Sequence, residues 1–171
     1  MLEIEKTPLE KVCLIKKPPT RFKDERGEYV ETYNEKLYKA AGIGIDFVQD
    51  DISVSKKQVL RGIHGDQTTW KLVSCLYGEF YLVVVNWDPD SSQYGRWISF
   101  NLSAENRHQV LIPPKFGNAH QVLSETAIYH YKQSTYYDRA GQFTLLWNDP
   151  RLKIVWPLKD PILSGRDLGK E

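Results

Sequence analysis

Cysteine is scarce in this chain of 171 residues, and the two present, Cys13 and Cys75, are too few for a disulfide framework. An excess of charge of one sign is lacking as well. With 23 basic and 22 acidic residues the formal net charge is +1, so no overall field draws in nucleic acid or an anionic membrane. An anionic ligand must instead be held by local arginines and lysines. No apolar run reaches the roughly 18 residues of a membrane-spanning helix, and no secretory leader pattern is present. These absences read as a soluble, reduced, cytoplasmic protein. Histidine is sparse too: His64, His108, His120 and His130 include no His-x-His pair and no other metal-ligand spacing, so no metal is expected. Phosphate-binding loops, dinucleotide fingerprints and nucleophile elbows are missing. No repeat, low-complexity tract or linker divides the chain, which reads as one domain over residues 1–171 with a substantial core.

Aromatic residues, by contrast, are plentiful, with ten tyrosines and five tryptophans. They favour strands and supply stacking surfaces, although core packing accounts for most of them. Val12-Cys13-Leu14-Ile15 predicts an early strand closed by a bend at Pro18-Pro19. Arg21 to Gly27 is polar and turn-like, with Gly27 offering a positive-φ position. Asn34 to Gly42 reads as a short helix, with Asn34 as N-cap and Gly42 as stop. From Ile45 onward, apolar stretches of roughly five to nine residues alternate with Gly, Pro, Asn and Asp clusters, as in an antiparallel sandwich or barrel. Strands are expected near 70–77, 79–87, 95–102, 108–112, 120–124 and 126–135. The continuous apolar run from Phe80 predicts a strand covered on both faces. The last forty residues look like extended loop and short helix wrapped over the barrel, packed down by Trp147, Trp156, Pro157, Ile162 and Leu163.

The stretch Val59-Leu60-Arg61-Gly62-Ile63-His64 organises the chain. Strand alternation turns Arg61 and Ile63 one way and Gly62 and His64 the other. A glycine beside the imidazole leaves room for another group to approach it, as a substrate pocket requires. Local pattern alone favours a histidine satisfied by hydrogen bonds inside a barrel.

Ordered motifs over nearly the whole chain resolve that ambiguity. The segments 47–64 and 70–114, Arg21 through Gly27, Tyr131-Lys132, Trp147-Asn148-Asp149-Pro150, Trp156-Pro157 and Leu163-Ser164-Gly165-Arg166-Asp167 resemble the dTDP-4-dehydrorhamnose 3,5-epimerase family, which acts on nucleotide-linked 4-keto sugars. The resemblance implies an all-β double-stranded β-helix, or cupin jelly roll, with one or two short helices and an extended C-terminal tail. It implies a cofactor-free isomerase, because the substrate's own carbonyl serves as electron sink. It also implies a homodimer in which an N-terminal strand reaches across.

By the same resemblance His64 is the base, suited by an imidazole that titrates near working pH, and Asp167 orients it. Tyr131 delivers a proton from the opposite side. Alternation sets Tyr129 and Tyr131 on one face and His130 on the other, so family spacing alone selects Tyr131. Lys71, which would otherwise read as a solvated charge at a strand start, faces the keto oxygen, where a cation stabilises the developing enolate. Arg26 contacts the diphosphate, Arg61 looks like a substrate and phosphate ligand or, as a strand residue facing away from His64, part of an inter-subunit contact, and Gln49, Glu31, Asn118 and Tyr137 complete the substrate-binding set.

Three departures stand out. His64-Gly65-Asp66 replaces the usual His-Tyr-Gln, with a shorter loop to Lys71. In Pro113 to His120, counting places Asn118 at a family histidine, and an asparagine cannot titrate. Asp50-Asp51 replaces an Asp-Asn pair, adding acidity near the ligand. The base, acid and enolate positions are intact while the walls change, and Gly65 suggests space for a bulkier substituent. Gly62 through Asp66 and Pro113 through His120 also resemble the GDP-linked 4-keto-heptose epimerases of capsule biosynthesis. The substrate is thus a dTDP-4-keto-6-deoxyhexose or a GDP-4-keto-heptose, inverted at carbon 3, carbon 5 or both. The competing readings are a 3,4-ketoisomerase on the same scaffold and a non-catalytic sugar-nucleotide-binding cupin.

Overall fold

The computed structural model of the chain describes residues 2–17 and 20–170. Strands β1 (Glu3–Lys6), β2 (Cys13–Lys17), β10 (Gln109–Ile112), β7 (Lys71–Tyr77), β12 (Thr126–Gln133) and β5 (Gln49–Lys56) form a six-stranded sheet in that spatial order. A five-stranded sheet runs β13 (Gln142–Thr144), β6 (Leu60–Asp66), β11 (Phe116–Val122), β8 (Glu79–Asn86) and β9 (Trp97–Ser103). A separate hairpin pairs β3 (Thr20–Asp24) with β4 (Gly27–Glu31), and α1 (Glu35–Ala40) is the one α-helix among the described residues. All the ladders are antiparallel, as expected for a jelly roll.

The apolar pattern dictates the layering. On β8, Phe80, Leu82 and Val84 face the space between the sheets, where they meet Val73, Val110, Ile112, Phe116 and Tyr129. The alternate residues Val83 and Val85 face outward and are covered by Leu145, Leu152, Trp147, Trp156 and Leu163 of the tail. The uninterrupted apolar run therefore exists because both faces of this strand are covered. Polar groups pin the tail in place as well. The fully buried Gln121 side chain donates to Leu158 O at 2.9 Å and accepts from Leu158 N at 3.0 Å. Trp156 Nε1 donates to Trp147 O, and Ile162 forms a parallel bridge with Val59. On the opposite side, α1 packs Tyr38 against Ile15, Leu72 and Leu111. Its hydroxyl makes a short bond to Gln109 Oε1.

Most predicted elements fall where the pattern set them. Asn34 caps α1 by accepting from Leu37 N, and Gly27 and Gly42 have φ of 123° and 89°. Three differences have physical causes. The polar stretch around Arg21 is a β-hairpin rather than a turn alone, its Gly27 closing a register that runs from Thr20↔Glu31 to Asp24↔Gly27. Strand β11 begins at Phe116, earlier than the turn-like Lys-Phe-Gly-Asn suggests, because β6 and β8 flank it and supply its ladders. The tail contributes β13 and turns, with no helix among its described residues. The bend expected at Pro18-Pro19 lies outside the described residues.

The decisive local feature is an extra residue in β6. Asn118 pairs with His64 and His120 pairs with Arg61, so three steps on β6 oppose two on β11. This is a bulge, and it breaks strict alternation. Leu60 and Ile63 both turn toward the tail, whereas Arg61 and His64 both turn into one cavity between the sheets. The expectation that Arg61 faces away from His64 is therefore overturned. Gly62 also serves a different purpose from the one expected. It has φ of 115°, and a Cβ there would stand 2.5 Å from Asn118 O and 2.7 Å from Ala119 Cβ. The missing side chain lets β11 approach the bulge, and gives no space to a substrate. The same holds at Gly65, whose Cβ would meet Phe143 and the Phe116 carbonyl at 2.4 and 2.5 Å.

Gly62→Ala should accordingly cost about 3 kcal/mol or more, because a strained φ and a backbone clash act together. Thermal denaturation should show Tm lower by roughly 6–12 °C. An unchanged Tm would mean that β11 does not need the close approach.

Candidate active site

At one end of the inter-sheet space lies a cavity of about 440 Å³. Its walls come from both sheets and from the tail: Gln49, Asp51 and Ser53 on β5, Arg61 and His64 on β6, Lys71 on β7, Asn118 and His120 on β11, Tyr129 and Tyr131 on β12, and Tyr137, Gln142, Ser164, Arg166 and Asp167 beyond them. Alternation places these side chains. Tyr129 and Tyr131 share the inner face of β12, while His130 lies on the outer face with Ser74 Oγ 2.8 Å from Nδ1 and Asp50 3.3 Å from Nε2.

His64 Nε2 lies 2.8 Å from Asp167 Oδ1. Asp167 is 2% exposed, and burial of a carboxylate by itself raises its pKa. Opposing contacts win. The His64 ring, the Ser164 hydroxyl donating to Oδ2 at 2.7 Å and the Gly62 N–H donating to Oδ1 at 3.1 Å hold it below the ordinary carboxylate value. The turn Ser164 to Asp167 makes this possible by pinning the carboxylate to its own Ser164, whose Oγ also accepts from Asp167 N. With Nε2 against Asp167, Nδ1 is the ring nitrogen left for a substrate.

The two tyrosines divide by environment. Tyr129 is buried, stacks on His120 at 4.2 Å between ring centroids, and its hydroxyl accepts from Asn118 Nδ2 at 2.9 Å. Tyr131 is half-buried, and burial followed by the neighbouring Asp51 carboxylate pushes its pKa up to about 12. It is therefore a neutral phenol able to give a proton to a strong base. Asp51 in turn accepts from Gln49 Nε2 at 2.7 Å and Gln133 Nε2 at 2.8 Å through Oδ2. Asp50 points outward to Lys132 at 2.6 Å. Of the acidic pair singled out in the sequence, one carboxylate alone reaches the cavity.

Lys71 is far from an edge charge. Its strand lies inside the six-stranded sheet and the side chain is 7% exposed. Burial pushes its ammonium below the ordinary lysine value, Arg166 adds to that, and Asp66 opposes it. Arg61 donates from Nε to Ser55 Oγ at 3.0 Å, leaving its terminal nitrogens for an anion. Arg166 is held by Thr144 Oγ1 and Gln142 Oε1, each at 3.0 Å. Lys71, Arg61 and Arg166 each bring a cation to the cavity, Arg61 toward the Ser55 end of β5 and Lys71 toward the end where Gln133 pairs with Gln49. Gln49 and Tyr137 meet at the rim, where Tyr137 N donates to Gln49 Oε1 at 2.8 Å.

Two expected residues are not brought in. Arg26 sits at the exposed tip of the β3–β4 hairpin, paired with Asp24 at 2.6 Å. Glu31 at the hairpin base accepts from Thr20 Oγ1 and Asn34 Nδ2. Neither lines the cavity of its own chain. Conversely, Arg166, Gln142 and His120 are cavity residues that the pattern did not single out as functional. Arg166 adjoins Asp167 in the motif, but an irregular tail has no periodicity that would orient it. Among the described residues no cluster of three or more His, Cys, Asp or Glu is placed to hold a metal ion. No helix among them is long and apolar enough to cross a membrane.

Burial pushes the His120 imidazole down to about 3, whereas an unfolded histidine titrates near 6.5. The unfolded chain therefore gains the extra proton first, and stability declines as pH falls from about 6.5 toward 3, by about 2 kcal/mol at pH 5. Asp167 acts in the same sense at lower pH, since a depressed carboxylate loses its contribution as pH falls through the folded value. Between pH 7.5 and 5, Tm should fall roughly 4–8 °C further for the native chain than for His120→Phe, which keeps the ring stack. Parallel curves would show that the imidazole is not held neutral.

The family model described as dTDP-4-dehydrorhamnose 3,5-epimerase matches residues 6–171. The chain is 40% identical over 172 residues to the dTDP-4-dehydrorhamnose 3,5-epimerase of Salmonella typhimurium, covering 98% of this chain and 93% of that protein. It is 41% identical over 153 residues to the Pseudomonas aeruginosa protein of the same name, covering 87% and 84%. Among solved structures, the dTDP-6-deoxy-D-glucose-3,5-epimerase of Legionella pneumophila in complex with dTDP-4-keto-L-rhamnose superimposes with a TM-score of 0.93 at 38% identity, covering 99% of this chain and 91% of that one. A 3′-monoepimerase from Streptomyces bikiniensis in complex with dTDP-quinovose superimposes with a TM-score of 0.88 at 29% identity, covering 95% and 84%. Match to the family model across nearly the whole chain, together with these likenesses, means that the chain belongs to the dTDP-4-dehydrorhamnose 3,5-epimerase family.

Proposed function

We propose that the chain, acting as one domain over residues 1–171, is a cofactor-free epimerase of nucleotide-linked 4-keto sugars in the cytoplasm. One observation carries this reading: the His64–Asp167 pair and the Tyr131 phenol line a single cavity from different sheets, and Lys71 lines it too. His64 Nδ1 removes the proton from carbon 3. The bonding electrons move to the carbon 4 carbonyl, whose oxygen becomes an enolate stabilised by the Lys71 ammonium. Tyr131 then protonates the same carbon from the opposite side and inverts it. Nothing is oxidised or reduced overall, and the proton later returns from the imidazolium to the phenolate through solvent. Repetition at carbon 5 gives the 3,5-epimer.

Arg61 takes the diphosphate, and Gln49, Asn118 and Tyr137 contact the substrate. The sugar is a hexose or heptose on dTDP or GDP, destined for a surface polysaccharide. The functional unit is a homodimer. The β3–β4 hairpin exposes Phe22 and Tyr29, at 68% and 65%, a pair of aromatics that suits contact with a second copy. That contact carries Arg26 and Glu31 toward the second copy's cavity, which accounts for their distance from their own.

Incubating 4-keto sugars of both nucleotides in deuterated water tests the reaction. Label should enter carbon 3, with or without carbon 5. His64→Ala should abolish incorporation by at least 10³-fold, since it removes the base, while Tyr131→Phe should keep some exchange but slow inversion. Full-rate exchange in His64→Ala would assign the base elsewhere. Label in a ketoisomerisation product, or tight binding with no label, would favour the competing readings. For the assembly, light scattering should give a particle of two chains that dissociates when Phe22 and Tyr29 are both changed to Asp. A monomeric native chain would remove the dimer.

A further inference from the structure

Asn118 Oδ1 and His120 Nε2 belong to the walls of the cavity, are withdrawn from solvent, and meet no hydrogen-bond partner among the described residues. Buried polar atoms in that state are costly, and in the wall of a cavity they point to a ligand that completes them. Asn118 stands at the position of the family's histidine and already belongs to the substrate-binding set. His120, two residues on, has no part in the reaction drawn above.

The His120 ring is fixed in place. Tyr129 stacks on it at 4.2 Å and 11°, Phe80 packs at 5.2 Å, and the residue is 3% exposed. Burial, with the Arg61 charge adding to it, keeps the imidazole neutral at working pH. A neutral imidazole carries one N–H and one bare nitrogen, so it both donates and accepts. It brings no charge to a phosphate and suits a hydroxyl, which has the same two capacities. Asn118 is oriented to match, since its Nδ2 donates to the Tyr129 hydroxyl at 2.9 Å and Oδ1 is left as an acceptor.

The strand register says which hydroxyl. Across the bulge, Asn118 pairs with His64 and His120 pairs with Arg61. In the epimerase reading, on which this inference rests, His64 takes the proton from carbon 3 and Arg61 takes the diphosphate carried on carbon 1. Asn118 and His120 stand two strand residues apart, roughly 7 Å, a step comparable to one sugar ring. Between the base and the phosphate lies carbon 2. We propose that His120 is a specificity-determining residue that hydrogen-bonds the hydroxyl on carbon 2 of the sugar and so holds carbon 3 against the base.

The test compares two 4-keto sugars on one nucleotide, alike except that one lacks the carbon 2 hydroxyl, and reads kcat/KM from deuterium entry at carbon 3. The native chain should favour the hydroxylated sugar by roughly tenfold to a hundredfold, the scale of one buried polar group left without its partner. His120→Phe keeps the stack and removes the nitrogens. It should bring the ratio toward one by slowing the hydroxylated sugar alone, because such a cycle isolates the coupling between one side chain and one substrate group. His120→Leu supplies a second replacement without nitrogens should the first not fold. A histidine that serves only as packing predicts equal slowing of both sugars, and that result would overturn the proposal. Equal kcat/KM for the two sugars in the native chain would overturn it as well, while leaving the epimerase reading intact. Absence of label from both sugars on either nucleotide would instead bring down the epimerase reading, and the role of His120 with it.

Discussion

Asp167 is a carboxylate withdrawn from water, and the site is assembled around its need for donors. Burying such a charge without partners costs several kcal/mol. Here the Gly62 N–H, the Ser164 hydroxyl and the His64 ring all converge on it. Each of these groups belongs to a different part of the architecture. Gly62 lies in the bulge of β6, Ser164 in the tail, and His64 on the wall of the cavity. One residue thus ties the tail to the strand and aims the imidazole. A tail folded elsewhere would leave both the bulge N–H and the histidine without their partner.

The bulge is the second half of the same device. A regular strand cannot put residues three apart on one face, yet Arg61 and His64 both need the cavity, and Leu60 and Ile63 both need the apolar cover of the tail. One extra residue opposite β11 reconciles those demands, and Gly62 sits there because the neighbouring backbone stands where a Cβ would be. Local irregularity of this kind is common beside active sites, where it re-aims a side chain.

Around that centre, function follows from unlike environments for like groups. Two tyrosines on one strand face diverge: Tyr129 accepts a hydrogen bond from Asn118 and stacks on His120, whereas Tyr131 remains beside Asp51 as a neutral phenol. Of two adjacent aspartates, Asp51 reaches the cavity and Asp50 pairs with Lys132 outside. Lys71 loses part of its preference for charge through burial, which leaves an ammonium of lowered pKa on the cavity wall.

Apolar periodicity was enough to reveal the strands, because a strand covered on both faces needs a continuous run such as Phe80 to Val85, and a helix cap needs an Asn34. The family resemblance likewise marked His64, Lys71, Tyr131 and Asp167, and the fold brings all four to one cavity. Other features could not be read from order alone. That Arg61 shares a wall with His64 depends on a bulge, whose existence is set by the opposing strand. That Gly62 and Gly65 make room for protein rather than ligand depends on β11 and Phe143, more than fifty residues away. That Arg166 and Gln142 line the cavity while Arg26 and Glu31 stand away from the cavity of their own chain depends on how an aperiodic tail and a hairpin outside the two main sheets settle. Sequence determines which groups are available and which segments must be buried, whereas the meeting of distant backbones decides which way each group points.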